Sequence, residues 1–182
     1  MIPTLRTTLG LKGQRPMVGN WDCHDDVYVF GALNLVTGHL TTSIVERPQT
    51  AQQRTLAQHR YLQAGFARLL RALARAYPAT SVPRVVIVID NAPWHKGSLI
   101  TAVLQAYPHL ELYRLPSYSP QLQVIERFWK ILRRRATHNR LFLTVTKLKQ
   151  ALRNSLCYYQ TLRQRVLSLI QRPKKRTKSC AT

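Results

Sequence analysis

Two acidic residues stand where they could bind a metal ion. Of 182 residues only seven are Asp or Glu, against 28 Lys or Arg. Asp90 ends the apolar run Val85 to Ile89, and Glu126 follows 35 intervening residues later, before an apolar helical pattern. Carboxylates from a strand end and a nearby helix can hold Mg²⁺, which takes oxygen ligands and keeps positions open for water and phosphate. We therefore expect the Cα atoms of Asp90 and Glu126 to lie within about 12 Å of each other.

Each of the two acids also has a simpler explanation. Asp90 precedes an NAP turn and could be a turn former or a helix N-cap. Glu126 could pair with Lys130 one helical turn later, an interaction worth only a few tenths of a kcal/mol. At 100° per residue Glu126 lies about 130° from the centre of the apolar stripe of its helix, so it should border the core without entering it. The residues alone leave these alternatives open.

The positive charge of the chain indicates a polyanionic partner. The formal net charge is +21, and the segment from Arg127 to the end holds sixteen Lys and Arg and no acid. Such a segment repels itself unless a polyanion neutralises it, which favours nucleic acid. A ribosomal or merely highly charged surface is the alternative, and a membrane surface is a weaker one. The candidate DNA-binding side chains closest to Glu126 are Arg127, Lys130, Arg133, Arg134 and Arg135.

Several classes of protein are excluded or disfavoured by what the sequence lacks. The strong positive charge does not suit an ordinary neutral metabolic enzyme, and we expect no small-molecule substrate. No apolar run reaches the length of a membrane span and no signal-peptide layout is present, so we expect a cytoplasmic protein without a membrane partner. The three cysteines are too far apart for a zinc knuckle or a disulfide framework.

The N-terminal half predicts a hairpin, a long helix and a buried strand. Residues 27–36 and 39–45 are rich in β-branched and aromatic residues around a Thr-Gly break, which is typical of a β-hairpin. Residues 51–77 carry apolar side chains at spacings of three and four and should form one amphipathic helix that Pro78 ends. The continuous apolar run of residues 84–90 predicts a strand buried on both faces.

The C-terminal half predicts mainly helices. We expect a helix over residues 95–107, a short strand over 110–115, and helices over 121–137 and 146–170. The first 170 residues would then form one domain of the α/β class, and residues 171–182 a disordered basic tail.

Three motifs, taken in order, resemble a known family. VYVFGALNLVTGHL, VVIVIDNAPWHKG and LPSYSPQLQVIERFWKILRR are similar to the catalytic domain of bacterial insertion-sequence transposases of the mariner superfamily, which belong to the DDE group of RNase H-like nucleotidyl transferases. The resemblance covers about residues 1–170. It implies an RNase H-like mixed sheet flanked by helices, DNA as the partner, and Mg²⁺ as the cofactor with Mn²⁺ as an alternative; a homo-oligomer stays open.

The resemblance also assigns roles to residues. Asp90 matches the family's second catalytic acid and Glu126 its third, so both are expected to be catalytic metal ligands. Asn91 and His95 belong to the same motif and are expected to line the site without binding metal, although His95 could equally pack at the start of its helix. Chemistry of this class uses two metal ions for in-line attack on a phosphodiester.

The same resemblance predicts that one catalytic acid is missing. Family members carry their first catalytic Asp on the first, central strand, shortly before the segment that matches PTLRTTLGLKGQRP. That segment starts at Pro3, so the Asp and its strand would fall upstream of Met1. Asp22, Asp25 and Asp26 are the nearby acids, but they sit in the loop entering the next strand. We therefore expect a DDE endonuclease or strand-transferase domain that is inactive alone; the alternative is a non-catalytic remnant that binds nucleic acid through charge.

Overall fold

The computed structural model describes residues 17, 27–46, 56–116 and 124–170. Within these residues the chain forms four strands and five α-helices. In chain order they are β1 (Val27–Leu33), β2 (Leu40–Glu46), α1 (Leu56–Ala76), β3 (Val85–Ile89), α2 (Ser98–Ala106), β4 (Leu110–Arg114), α3 (Ile125–Ala136), α4 (Val145–Thr161) and α5 (Arg163–Ile170).

The first two strands form the predicted hairpin. β1 pairs antiparallel with β2, with Val27 opposite Glu46 and Leu33 opposite Leu40. The connecting turn is organised by the Asn34 side chain, which accepts hydrogen bonds from the backbone N–H groups of the second and third residues after it. Gly38 completes the turn at φ +70°, a conformation that glycine adopts without steric cost.

The other two strands are parallel, and the described strands do not join into one sheet. β3 pairs with β4, while β1 and β2 form a separate two-stranded sheet. The α/β class is confirmed, and within the described residues the strands form two small sheets. No backbone pairing connects β1 to β3 in the described residues.

The prediction that β3 is buried on both faces is wrong. Ile87 and Ile89 are buried under α1 and α2, whereas Val86 and Val88 on the opposite face are 51% and 54% exposed. A continuous run of β-branched residues shows that a strand can be buried on both faces, but not which faces other elements cover.

Helix α1 connects the two sheets, and its apolar positions were predicted correctly. Leu62, Phe66 and Leu70 are each at most 2% exposed, and the helix contacts both the hairpin and the segment after β3. Gly65 allows a close approach to the hairpin, because a Cβ at this position would lie 2.6 Å from Cγ2 of Val45.

Two predicted helices have different boundaries. The helix expected from residue 95 begins only at Ser98, since Pro93–His95 form a 3₁₀ turn and Gly97 takes φ +116°. The helix expected over residues 146–170 is two helices, because Leu162 leaves the helical conformation at φ −102° and ψ 58°. The break turns α5 so that Val166 and Ile170 reach the same core as Phe128 of α3.

Two apolar clusters hold the described elements together. One lies between α1, α2 and the inner face of β3, and includes Phe66, Leu70 and Ile87. The other lies between the hairpin and helices α3 to α5, and includes Leu40 and Phe128. No helix in the described ranges is both long enough and apolar enough to cross a membrane. The end of β3, which carries Asp90, therefore packs in the first cluster, and the start of α3, which carries Glu126, packs in the second.

Candidate active site

Asp90 lies directly after β3, where its carboxylate is held at one oxygen. Oδ1 accepts a hydrogen bond from the backbone N–H of Ala92 at 3.1 Å and lies 3.0 Å from Nδ1 of His95. The side chain is 51% exposed, and Oδ2 has no hydrogen-bond partner in the described residues. The hydrogen bond from the Ala92 N–H is the turn interaction that the simpler explanation of Asp90 predicted. It occupies one oxygen and leaves the other available to a ligand.

His95 both packs in the core and contacts Asp90. Its ring centroid lies 4.3 Å from that of Phe66, and Nδ1 lies 3.3 Å from the backbone oxygen of Asp90. Both Asp90 oxygens can only accept, so Nδ1 carries the proton that is donated. Burial lowers the pKa of the imidazole despite the opposing effects of Asp90, and the charge of Arg114 lowers the pKa further. At neutral pH His95 is therefore uncharged and adds no positive charge beside Asp90.

Asn91 connects the ends of the two parallel strands. Its Nδ2 donates to the backbone oxygen of Leu115 at 2.8 Å, and the Leu115 N–H donates to the oxygen of Ile89 at 2.8 Å. The amide thus holds the loop that carries Asp90 against the segment after β4. This contact gives Asn91 a positioning role beside the candidate site.

Glu126 lies in the first turn of α3 and is half-buried, as its place on the helix predicted. The partial positive charge of a helix N-terminus stabilises a carboxylate in this position. The alternative ion pair with Lys130 is not formed, and Glu126 has no ion-pair partner in the described part of the chain. Among the described residues, only the helix dipole stabilises its negative charge.

The basic residues after Glu126 differ in what they contact. Lys130, Arg133, Arg134 and Arg135 are exposed. Arg127 is half-buried instead, and its Nη1 donates to the backbone oxygen of Ile170 at 2.6 Å. That hydrogen bond satisfies a carbonyl at the end of α5, so the guanidinium of Arg127 already has a structural partner.

Two residues near His95 were not found by sequence reasoning. Arg114 at the end of β4 donates to the backbone oxygen of His95 at 3.3 Å, and Gln63 of α1 donates to that of Lys96 at 2.7 Å. The position of Arg114 could have been inferred, because the carboxyl ends of neighbouring parallel strands meet at one edge. Gln63 gave no such signal, because its contact depends on how α1 crosses the sheets.

The oxygen donors of Asp90 and Glu126 suit a hard divalent cation such as Mg²⁺ or Mn²⁺. Asp90 offers a free carboxylate oxygen, and Glu126 has no competing cation among the described residues. Those residues contain no cluster of three or more His, Cys, Asp or Glu side chains that could hold a metal ion. The two carboxylates suit a divalent ion chemically. They are the two candidate metal-binding side chains of this site among the described residues.

The part of the chain that carries Asp90 and Glu126 matches a known family. The sequence model of the DDE superfamily endonucleases matches residues 2–149, which include both Asp90 and Glu126. The chain belongs to the DDE superfamily endonuclease family. Membership in this family implies the use of a divalent metal ion. Comparison with curated proteins finds no match.

Solved structures show the same fold as this DDE endonuclease chain. The Mos1 mariner paired end complex with Mn matches with a TM-score of 0.55 and 14% identity over 93% of this chain and 52% of that one. A pre-cleavage Mos1 transpososome matches with a TM-score of 0.55 and 12% identity over 94% of this chain and 53% of the other. The chain thus spans about half the length of these structures, and the α/β fold agrees with the expected RNase H-like class.

Proposed function

We propose that this chain is a transposase-type catalytic domain that cuts and joins DNA phosphodiesters with a divalent metal ion. The observation that carries the proposal is the Asp90 carboxylate at the end of β3, in a DDE endonuclease chain. One of its oxygens is held by Ala92 and His95, and the other has no hydrogen-bond partner among the described residues. The matched Mos1 structures are transposase complexes, one of them with Mn. Mg²⁺ is the proposed ion and Mn²⁺ the alternative.

Asp90 and Glu126 are the proposed metal ligands. When bound, divalent ions supply activation of a water or DNA 3′-hydroxyl and stabilise the leaving oxygen during in-line attack. Neutral His95 orients the Asp90 carboxylate and leaves its negative charge for the ion. Asn91 holds the loop that carries this carboxylate. A Cα separation of Asp90 and Glu126 within about 12 Å remains a prediction of this assignment.

The DNA backbone is the proposed partner of the exposed cations beside Glu126. Lys130, Arg133 and Arg134 lie on the same helix as Glu126 and are exposed. Arginine and lysine neutralise phosphates in a sequence-independent way, which orients DNA without reading its sequence. These side chains would hold the strand whose phosphodiester is attacked.

Iron-directed backbone cleavage tests the shared metal site. Fe²⁺ with ascorbate generates hydroxyl radicals at a bound ion, so the 182-residue protein should be cut near residue 90 and near residue 126, and excess Mg²⁺ should suppress both cuts. Asp90→Asn should weaken both cuts, and so should Glu126→Gln. Glu111→Gln, which removes an acid that pairs with Arg84 instead, should leave both unchanged.

Two outcomes would contradict the proposed site. Cuts near 126 that persist undiminished in Asp90→Asn would show that the two carboxylates do not share an ion. Absence of cuts at both positions would reject metal binding by this pair and favour the non-catalytic nucleic-acid-binding alternative.

A further inference from the structure

A second charged site lies at the opposite end of α3 from Glu126. Arg135, in the last turn of α3, places its guanidinium carbon 3.7 Å from the ring centroid of Tyr158 on α4. Arg165 on α5 donates from Nη1 to the hydroxyl of the same tyrosine at 2.8 Å. Two arginines from two helices thus share one phenol ring on a third.

The tyrosine that they share is anchored in the core. Tyr158 is half-buried and packs edge-on against Tyr159, with ring centroids 5.2 Å apart. Tyr159 is only 5% exposed and packs in turn on Phe128, at 5.4 Å. A rigid aromatic support therefore holds both guanidiniums, while Arg135 and Arg165 themselves remain exposed.

The two positive charges are close together. The guanidinium carbon of Arg165 lies 5.8 Å from the Tyr158 ring centroid, and that of Arg135 lies 3.7 Å from it. The charges are thus no farther apart than the sum of these distances, which is comparable with the Debye length of about 10 Å at 0.1 M salt. Salt at that concentration screens their mutual repulsion only in part.

No carboxylate of the described residues compensates this charge. Glu46 and Glu111 form ion pairs with other residues, and Asp90 contacts neutral His95. Glu126 lies at the start of α3, nine residues before Arg135, which corresponds to about 13 Å along the helix axis.

Helix dipoles account for the position of only one of the two arginines. Arg135 is in the last turn of α3, where a positive charge is favoured, but Arg165 is in the first turn of α5, where it is disfavoured. The helix dipole therefore does not account for the position of Arg165, which is held by its hydrogen bond to Tyr158.

We propose that Arg135, Arg165 and Tyr158 form a clamp for one backbone phosphate of DNA. The planar guanidinium presents paired N–H donors that match phosphate oxygens, and two such groups around one anion neutralise it. The clamp rests on the proposed function, since it requires DNA as the partner. It adds a contact beyond the residues next to Glu126, on a surface formed by α4 and α5 as well as α3.

Salt-dependent binding of a 20-base-pair DNA duplex to the full chain tests the clamp. Affinity is measured by fluorescence anisotropy between 50 and 200 mM salt for the wild type and for Arg165→Gln, Arg165→Lys and Tyr158→Phe. Arg163→Gln is the matched control, because it removes an exposed arginine two residues away on the same helix. Melting temperatures of all variants report their folding.

The clamp predicts a specific pattern. Arg165→Gln should lower the affinity about tenfold and reduce the slope of log K against log salt by about 1, the effect of losing one phosphate contact. Arg165→Lys should restore the slope because it keeps the charge, with affinity between the two. Tyr158→Phe keeps the ring under Arg135 but no longer holds Arg165, so its affinity should also fall. Arg163→Gln should change the affinity less than about twofold.

Two results would overturn the clamp while the proposed function stands. One is wild-type binding with a steep salt dependence that Arg165→Gln leaves unaltered or alters no more than Arg163→Gln. The other is a lowered melting temperature of Arg165→Gln with an unchanged slope, since that describes a contact that only joins the helices. A wild-type chain with no salt-dependent DNA binding would instead reject the proposed DNA partner itself.

Discussion

Burial of His95 decides whether a positive charge stands beside the Asp90 carboxylate. A protonated imidazole 3.0 Å from the carboxylate would neutralise it. Because burial lowers the pKa of His95, the imidazole donates a hydrogen bond without adding charge. The imidazole thus orients the Asp90 carboxylate without adding a positive charge beside it, and carboxylate oxygens are ligands that suit a hard metal ion.

The contact between Asn91 and Leu115 should contribute measurably to stability. Asn91→Ala leaves the Leu115 carbonyl without its side-chain donor, and we expect the free energy of unfolding to fall by about 1 kcal/mol. Urea unfolding followed by circular dichroism measures this change. Asn154→Ala removes an exposed contact with Gln150 and should cost less than about 0.5 kcal/mol. Equal losses in both variants would show that Asn91 does not hold the loop.

The ion pair between Arg84 and Glu111 should make part of the stability depend on pH. The Arg84 hydrogen bond is the main cause that lowers the pKa of Glu111, and the charge of Arg84 adds to it. The folded state then binds the proton less readily than the unfolded state, so the stabilisation is present at neutral pH and is lost as the pH falls through the lowered pKa. In Glu111→Gln the melting temperature should be slightly lower than in the wild type at pH 7, and the gap should close in acid. A gap that stays constant with pH would contradict this effect.

At the scale of elements, the turn between β1 and β2 meets the break between α4 and α5. A Cβ on Gly38 would lie 2.5 Å from the backbone oxygen of Arg163, the first residue of α5. The hairpin turn thus packs directly on the backbone where the helix changes direction. This contact connects the first described strands to the last described helix.

A substitution in this turn should be poorly tolerated. Gly38→Ala forces a Cβ against a carbonyl that cannot move freely and also places alanine at φ +70°. We expect a loss of about 1–3 kcal/mol in the free energy of unfolding. Val36→Ala, in the same turn but 86% exposed, should change stability by less than about 0.5 kcal/mol. Similar stability of the two variants would show that the turn does not pack on α5.

Charge dominates the behaviour of the whole molecule. Sixteen of its 28 basic residues follow Glu126, and no acid accompanies them. Under the proposed function, a basic segment of this kind would bind DNA through counterion release, with little dependence on base sequence. Glu126 directly precedes this basic segment in the sequence.

Binding of duplex DNA should accordingly weaken steeply with salt. If six or more phosphates are contacted, the affinity should fall on the order of a thousandfold between 50 and 200 mM salt. Titration of two unrelated duplex sequences at both concentrations measures this and tests the lack of sequence preference. The variant carrying Asp90→Asn and Glu126→Gln should bind at least as tightly, because it removes negative charge. A flat salt response would reject backbone charge as the main source of affinity.

The sequence determined the features that depend on local pattern. Apolar spacing predicted α1 and its buried face, and β-branched runs predicted the hairpin and β3, because side-chain periodicity follows directly from helix and strand geometry. The motif DNAPWH placed Asp90 and His95 five residues apart in one turn, close enough for the structure to show them in contact.

Tertiary packing decided what local pattern could not. The apolar period continues through Leu162, so the break between α4 and α5 is set by the core that Val166 and Ile170 join. Whether Val86 and Val88 are covered depends on helices far away in sequence. In the sequence Arg127 does not differ from its basic neighbours. In the structure it donates a hydrogen bond to Ile170, 43 residues later. Each of these outcomes depends on contacts between distant segments, and a one-dimensional pattern contains no information about which segments meet.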